Sequence, residues 1–265
     1  MSDIDKADVV HTRIWREEPE PGNDFATRAA YVRGYDVYGQ MLGRASWIQM
    51  LVLLLRDELP SSEQLQALET LAVGLANPGP RDPSVHAAMC GGVGGSAAAA
   101  SLMAALAVGA GRTGGARDVL DAIRMWSDCG MSVDAWQANG GPRASDPVEA
   151  FPDREHTPGF DPNGTVTPTV VRQLLAAVAS GAQTPRTTWL HANLDALTHA
   201  IGKPLAMSGV AAALFADLGF TGPEGEMLFL LLRLPGAAAH ALEQQHHGYR
   251  RFPFYQIDLQ SEQAP

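Results

Sequence analysis

The segment from Ile201 to Gln244 (IGKPLAMSGVAAALFADLGFTGPEGEMLFLLLRLPGAAAHALEQ) is punctuated as three short helices, and this constrains the fold more than any other stretch. Gly202 and Pro204 end one helix, and Ser208 is placed to cap the next. That second helix buries Val210, Leu214, Phe215 and Leu218 before stopping at Gly219. Pro223 falls in a first helical turn, where proline is tolerated, and Met227, Leu228, Leu231 and Leu232 follow with Arg233 embedded among them. A single arginine in an apolar run is costly to bury without an anion or a carboxylate partner. Glu226 and Asp217 are the internal partners its own segment offers.

The same grammar extends over the rest of the chain. Ser46 is set to cap a helix burying Trp47, Met50, Leu51, Leu54 and Leu55, which Pro60 stops. Ser61 and Gln64 form a capping box for a helix with Leu65, Leu68, Leu71 and Leu75 on one face and Gly79 past its end. Residues 84–109 are dominated by alanine and glycine, which allow close helix approach, so they are expected in central packing, with the GGVGG at 91–95 as a break. Another helix is expected over Ala116 to Cys129, with Val119, Leu120, Ile123 and Trp126 inward and Arg117, Asp121 and Arg124 outward. Between Met131 and Asn163 the pattern collapses into a Gly-, Pro- and Asp-rich loop, a length that is uncommon without a functional reason. Helical periods then resume, with Val171, Leu174, Leu175 and Val178 buried, followed by Trp189, Leu190, Leu194, Leu197 and Ile201. No convincing strand run is found, so the expected class is all-α. The tail HHGYRRFPFYQIDLQ, a basic pair between aromatics, is expected to pack across a neighbouring surface.

Hydrophobic residues make up 46% of the 265, ample for a core. A formal net charge of −10 argues against a nucleic-acid or anionic-membrane surface. Cys90 and Cys129 offer neither a disulfide framework nor a metal cluster and suit a reducing compartment. His246 and His247 lack the spacing of a metal site, and the GGVGG lacks the Lys–Ser/Thr of a phosphate loop. With a polar start, MSDIDKADVVHTR, and no apolar span of membrane length, the expectation is a cytoplasmic protein without nucleic-acid or membrane partners.

Several blocks, in order and spacing, resemble the citrate synthase superfamily and in particular its short citryl-CoA lyase branch. YVRGYDVYGQMLGRASWIQMLVLLLRDELPSSEQLQAL is similar to its RGYD-type entry and LLL-x-G-x-LP helix pair. ANPGPRDPS (76–84) resembles its DHG-x-x-SPS turn without the substrate-binding histidine, and VGAGRTGGARD (108–118) resembles its IGD-x-HGGA turn. PGFDPNGTVTPT (158–169) resembles PGFGHP…DPR one residue short, and the DLGF helix is followed by Arg233, Gly236, His240, Glu243 and Gln244, as in the family's arginine and G-x-x-x-H-x-x-[ED]-Q turn.

The resemblance implies a citrate synthase-like helical fold of two domains with a cleft between them: residues 1–113 with 219–265 as the large domain, and 114–218, containing the irregular 131–163 loop, as the small one. It implies a dimer that makes or breaks a carbon–carbon bond between an acyl-CoA and a 2-oxo acid. The CoA thioester is then a substrate, no cofactor is tightly bound and no metal is used. That chemistry needs a carboxylate base, a donor to the enolate and a donor to the ketone. In this chain those positions hold Ser208, Thr113 and Asp161. Losing one positioned acid–base group costs about 10²–10⁴-fold, so the acid–base set is altered or the reaction is lost. Arg233, Arg251 and His240 are the implied substrate-binding residues, Arg251 serving a partner subunit, and Arg112, Gly159 and Phe160 fall at the CoA side. Plainer roles stand beside these: an internal ion pair for Arg233, a solvated cation for Arg251, a packing histidine for His240 and a helix cap for Ser208. Asp195 is a weaker candidate base, and His86 and His156 are weaker candidate donors. Three functions follow: a C–C lyase or acyltransferase with a changed acid–base set, a non-catalytic subunit partnering an active homologue, or a sensor binding a small carboxylate.

Overall fold

The computed structural model describes residues 11–140, 156–180 and 184–251. It begins with a small antiparallel sheet, which corrects the all-α expectation: β1 (Trp15–Glu20), β2 (Asn23–Val32) and β3 (Tyr35–Asp36), in that order. The period-2 signal is faint because only Ala30 and Val32 of this sheet are buried. Charge, not apolar alternation, patterns the strands. Glu18 accepts from Arg16 and from Arg28 across the pair, each at 2.9 Å, and Arg16 lies 3.8 Å over the Tyr31 ring. The turn between β1 and β2 is Pro21–Gly22, with Gly22 at φ +81, a conformation glycine adopts freely.

A single π-helical turn (Val37–Met41) leads to α1 (Trp47–Leu55) and α2 (Ser62–Leu75). Both helices start with a complete capping box, Ser46–Gln49 and Ser61–Gln64. The inward face of α1 is Ile48, Leu51, Val52 and Leu53, and Trp47, expected inside, is 71% exposed. The GGVGG does break the small-residue stretch, into α3 (Pro83–Val93) and α4 (Ala98–Gly109). Only part of that stretch is central: Ala98, Ala99 and Ala100 are exposed, and Met103 and Val108 are 68% and 45% exposed.

Helix α5 covers Ala116–Cys129. The stretch expected to be irregular contains α6 (Val133–Asn139), fixed by Trp136, which is 2% exposed and donates its indole N–H to the Gly130 carbonyl at 3.0 Å. Residues 141–155 of that stretch, and the 252–260 part of the tail, lie outside the described residues. Then come α7 (Thr169–Val178), α8 (Pro185–Ala192), α9 (Leu194–Ile201), α10 (Met207–Asp217) and α11 (Gly222–His247).

The last helix corrects the three-short-helices expectation, because it continues for 26 residues through Pro235. Proline lacks the N–H that an i−4 carbonyl would receive. There the next N–H, on Gly236, donates to the carbonyl of Ala76 at 2.7 Å, and a Cβ at 236 would meet that same oxygen at 2.7 Å.

The main core gathers side chains from α1, α2 and α5 to α11 around α10, whose residues from Ser208 to Phe215 are all buried. Leu214 and Phe215 are 0% exposed, and burying each contributes about 1.5–3 kcal/mol. A separate small core of Val85, Ala88, Ala105, Ala237 and Ala241 joins α3, α4 and the second half of α11. A third, of Val32, Met41 and Leu53, seats the sheet.

Candidate functional site

The segment 157–161 is stitched to the 204–206 approach of α10. The Asp161 N–H donates to the Pro204 carbonyl at 2.8 Å, the Ala206 N–H donates to the Gly159 carbonyl at 2.9 Å, and Phe160 bridges Leu205. Two glycines make this approach possible. Gly159 has φ +84, and a Cβ on Gly209 would stand 2.3 Å from the Gly159 carbonyl oxygen. Beneath the junction lies Asp118 of α5, 2% exposed. Its carboxylate accepts the Ser208 hydroxyl at 2.6 Å and the Gly159 N–H at 3.2 Å to each oxygen, and His156 Nε2 lies 3.4 Å away.

Ser208 is therefore not the cap of α10, a position that Ala206 holds. It is 1% exposed, with its hydroxyl given to Asp118. Asp161 accepts the Asn163 N–H at 2.9 Å, closing a turn on its own backbone. Gly159 is buried, and Phe160 is 2% exposed with its ring 6.1 Å from that of Trp136.

On α11, the Arg233 side chain is 8% exposed. It pairs with the Asp82 carboxylate, reaches the Gly114 carbonyl at 3.5 Å and lies 4.8 Å from the Phe229 ring. Burial pushes the guanidinium below its ordinary value, and Asp82 opposes that shift. The ion pair is thus internal, but with neither expected partner. Glu226 lies 3.8 Å from Arg117, and Asp217 accepts N–H groups of Arg186 and Thr187 at the start of α8. Asp82 reaches Arg233 from the N-cap of α3, where its other oxygen accepts from Ser84.

Thr113 is exposed and Arg112 half-buried in the turn whose Gly114 meets Arg233. His240 bridges α11 to the 76–79 turn through Asn77 Oδ1 at 3.2 Å, with Glu243 3.5 Å from its other ring nitrogen. Arg251 is exposed on the short 3-10 turn Tyr249–Arg251. Asp195 is 85% exposed and paired with Arg172 at 3.0 Å.

The structure thus brings Ser208, Gly159 and Asp161 to one junction, and Arg233 to the turn carrying Thr113. Sequence reasoning missed two residues that organise both places. Asp118 stood on the inward stripe with Ala122, Met125 and Cys129, and Asp82 stood as a cap before Pro83. Among the described residues no group of three or more His, Cys, Asp or Glu side chains could hold a metal, and no helix is long and apolar enough to cross a membrane.

No family model matches the sequence, and no curated protein does. Solved structures do match. The citryl-CoA lyase of Hydrogenobacter thermophilus superposes with a TM-score of 0.68 over 97% of this chain and 96% of its own, at 20% identity. The fold is citryl-CoA lyase-like. An ATP citrate lyase from Methanosaeta concilii, solved with (3S)-citryl-CoA, superposes with a TM-score of 0.71 at 18% identity over 98% of this chain and 43% of its own. Citrate synthase from Thermoplasma acidophilum gives a TM-score of 0.56 at 15% identity, over 83% of this chain and 59% of its own. This chain therefore spans nearly the whole of the first of these structures and less than half of the second.

Proposed function

We propose that this citryl-CoA lyase-like chain is a non-catalytic subunit that associates with a catalytically complete homologue. The observation that carries this reading is the engagement of Ser208: at the position expected to supply the base, the side chain is a hydroxyl, 1% exposed, that donates to Asp118. A general base must come within hydrogen-bond reach of the proton it abstracts, and this oxygen is committed inward. Asp161 is turned onto its own backbone and Thr113 offers only a weakly acidic hydroxyl, so neither position holds a strong proton donor for the ketone or the enolate.

A surface for such a partner is available. Between Asp82 and Arg112 the sequence has no Asp, Glu, Lys or Arg, yet α4 exposes Ala98, Ala99, Ala100 and Met103. An uncharged exposed helix face in a chain of net charge −10 suits association. A homodimer built on the same face is the plainer variant, in either case with residues 1–113 and 219–265 as one domain and 114–218 as the other.

A second reading has one observation in its favour. The Asp118 carboxylate lies 2.6 Å from the Ser208 oxygen and would serve as the base of an altered acid–base set acting on a CoA thioester. Incubation with citryl-CoA, malyl-CoA, or acetyl-CoA plus oxo acids, read by mass spectrometry, separates the two. No turnover together with co-purification of a complete homologue from the native host is expected. Turnover by the isolated chain would sink the non-catalytic reading in favour of the second.

A further inference from the structure

We infer that Asp82 is a built-in substitute for a ligand carboxylate, occupying Arg233 and barring the site to free di- and tricarboxylates; this rests on the non-catalytic reading and on the substrate-binding role that the resemblance implies for Arg233.

Arg233 has the surroundings of a carboxylate receptor. The side chain is 8% exposed, its guanidinium lies 4.8 Å from the Phe229 ring, and one terminal nitrogen is 3.5 Å from the Gly114 carbonyl. A planar guanidinium shielded from water is suited to carboxylate recognition, because its fork of N–H donors matches the two oxygens and competition from solvent is reduced. What meets it is the chain's own carboxylate. Asp82 divides its oxygens: Oδ1 accepts from the N–H and hydroxyl of Ser84 and so caps α3, while Oδ2 goes to Arg233.

The cap does not need this residue. Serine, threonine or asparagine caps a helix about as well, and the DHG-x-x-SPS motif that ANPGPRDPS resembles has a serine where Asp82 stands. What aspartate adds is a negative charge that reaches Arg233. An anionic ligand must displace a tethered competitor, whose effective concentration is in the millimolar range or above, and must approach while that competitor's charge remains nearby. The tethered group thereby sets selectivity: external polycarboxylates are refused, and Arg233 remains neutralised.

The test titrates citrate and oxaloacetate by calorimetry into the full chain carrying Asp82→Ser, which keeps a capping oxygen and removes the competitor. Citrate should bind this variant at least about tenfold more tightly than it binds the unmodified chain. Its melting temperature should rise with added citrate, and a second change, Arg233→Ala, should abolish both effects. Asp82→Asn, which preserves shape and cap, should behave like Asp82→Ser. If either variant is unfolded, millimolar citrate should restore its circular dichroism, because the ligand replaces the lost partner of a buried cation. The inference is overturned if the folded variants bind citrate no better than the unmodified chain. It is equally overturned if citrate fails to rescue an unfolded variant, or if the unmodified chain already binds citrate tightly through Arg233. Turnover of citryl-CoA by the unmodified chain would remove the non-catalytic reading without altering these titrations, so the two failures are distinguishable.

Discussion

Replacing Ser208 with alanine takes one oxygen from a site that is 1% exposed and changes little else, since the methyl group fills nearly the same space. The lost contact is the 2.6 Å hydrogen bond to Asp118, a carboxylate 2% exposed that keeps, among the described residues, the Gly159 N–H at 3.2 Å to each oxygen and His156 at 3.4 Å. Hydrogen bonds to charged groups contribute about 1.5–3 kcal/mol, and a buried acceptor deprived of its donor costs a similar amount. Ser208→Ala should therefore lower stability by about 1.5–3 kcal/mol, or roughly 3–12 °C in melting temperature for a chain of this size.

Urea titration followed by circular dichroism at constant slope measures this. A double-mutant cycle assigns it: in an Asp118→Asn background the carboxylate's charge is gone, and Ser208→Ala should cost less than about 1 kcal/mol, leaving a coupling energy of roughly 0.5–3 kcal/mol. A cost for Ser208→Ala within about 0.5 kcal/mol of zero, or an equal cost in both backgrounds, would refute the claim that this hydroxyl is committed to Asp118. The non-catalytic reading would lose its main support at the same time.

Asp217→Ala should cost more than about 3 kcal/mol, because the fully buried carboxylate accepts the Arg186 N–H, the Thr187 N–H and the Thr187 hydroxyl at 2.8, 2.8 and 2.7 Å, all at the start of α8. Amide hydrogen exchange at residues 186 and 187 would accelerate, whereas Asp195→Ala, at an exposed pair, should stay within about 0.5 kcal/mol. Gly209→Ala should lower the thermal midpoint steeply, by more than about 3 kcal/mol of stability, since its Cβ would stand 2.3 Å from the Gly159 carbonyl oxygen. A loss below about 1 kcal/mol in thermal unfolding would show that the two backbones are not held against each other.

Local signals carried most of the architecture. The Ser46 cap, the Ser61–Gln64 box, the span of α5, the buried face of α7 and the Gly219 stop were legible because each depends on residues within one or two turns of one another. The N-terminal sheet was not, because its order rests on cross-strand charges such as Arg28–Glu18 and leaves little apolar alternation to read. α11 outran its expected length because the partner of Gly236 is the Ala76 carbonyl, far away in sequence.

The site failed in the same way. Arg233 was identified as a buried cation in need of a carboxylate, but its partner Asp82 stands 151 positions away on a helix cap. A serine at a helix start usually caps it, but the acceptor of the Ser208 hydroxyl is Asp118, 90 positions earlier. Composition and periodicity report which groups must be satisfied, while the choice among distant acceptors is made by packing.

Pro235 and Gly236 fall where α11 passes from one hydrophobic body to another. Leu228, Phe229 and Leu232 belong to the main core, whereas Ala237 and Ala241 belong to the small one with α3 and α4. The rod is therefore two half-rods spliced at a joint, with a loop carbonyl serving as the pin. A change that removes the contact between the Gly236 N–H and the Ala76 carbonyl therefore acts on the seam between the two bodies rather than on the packing inside either.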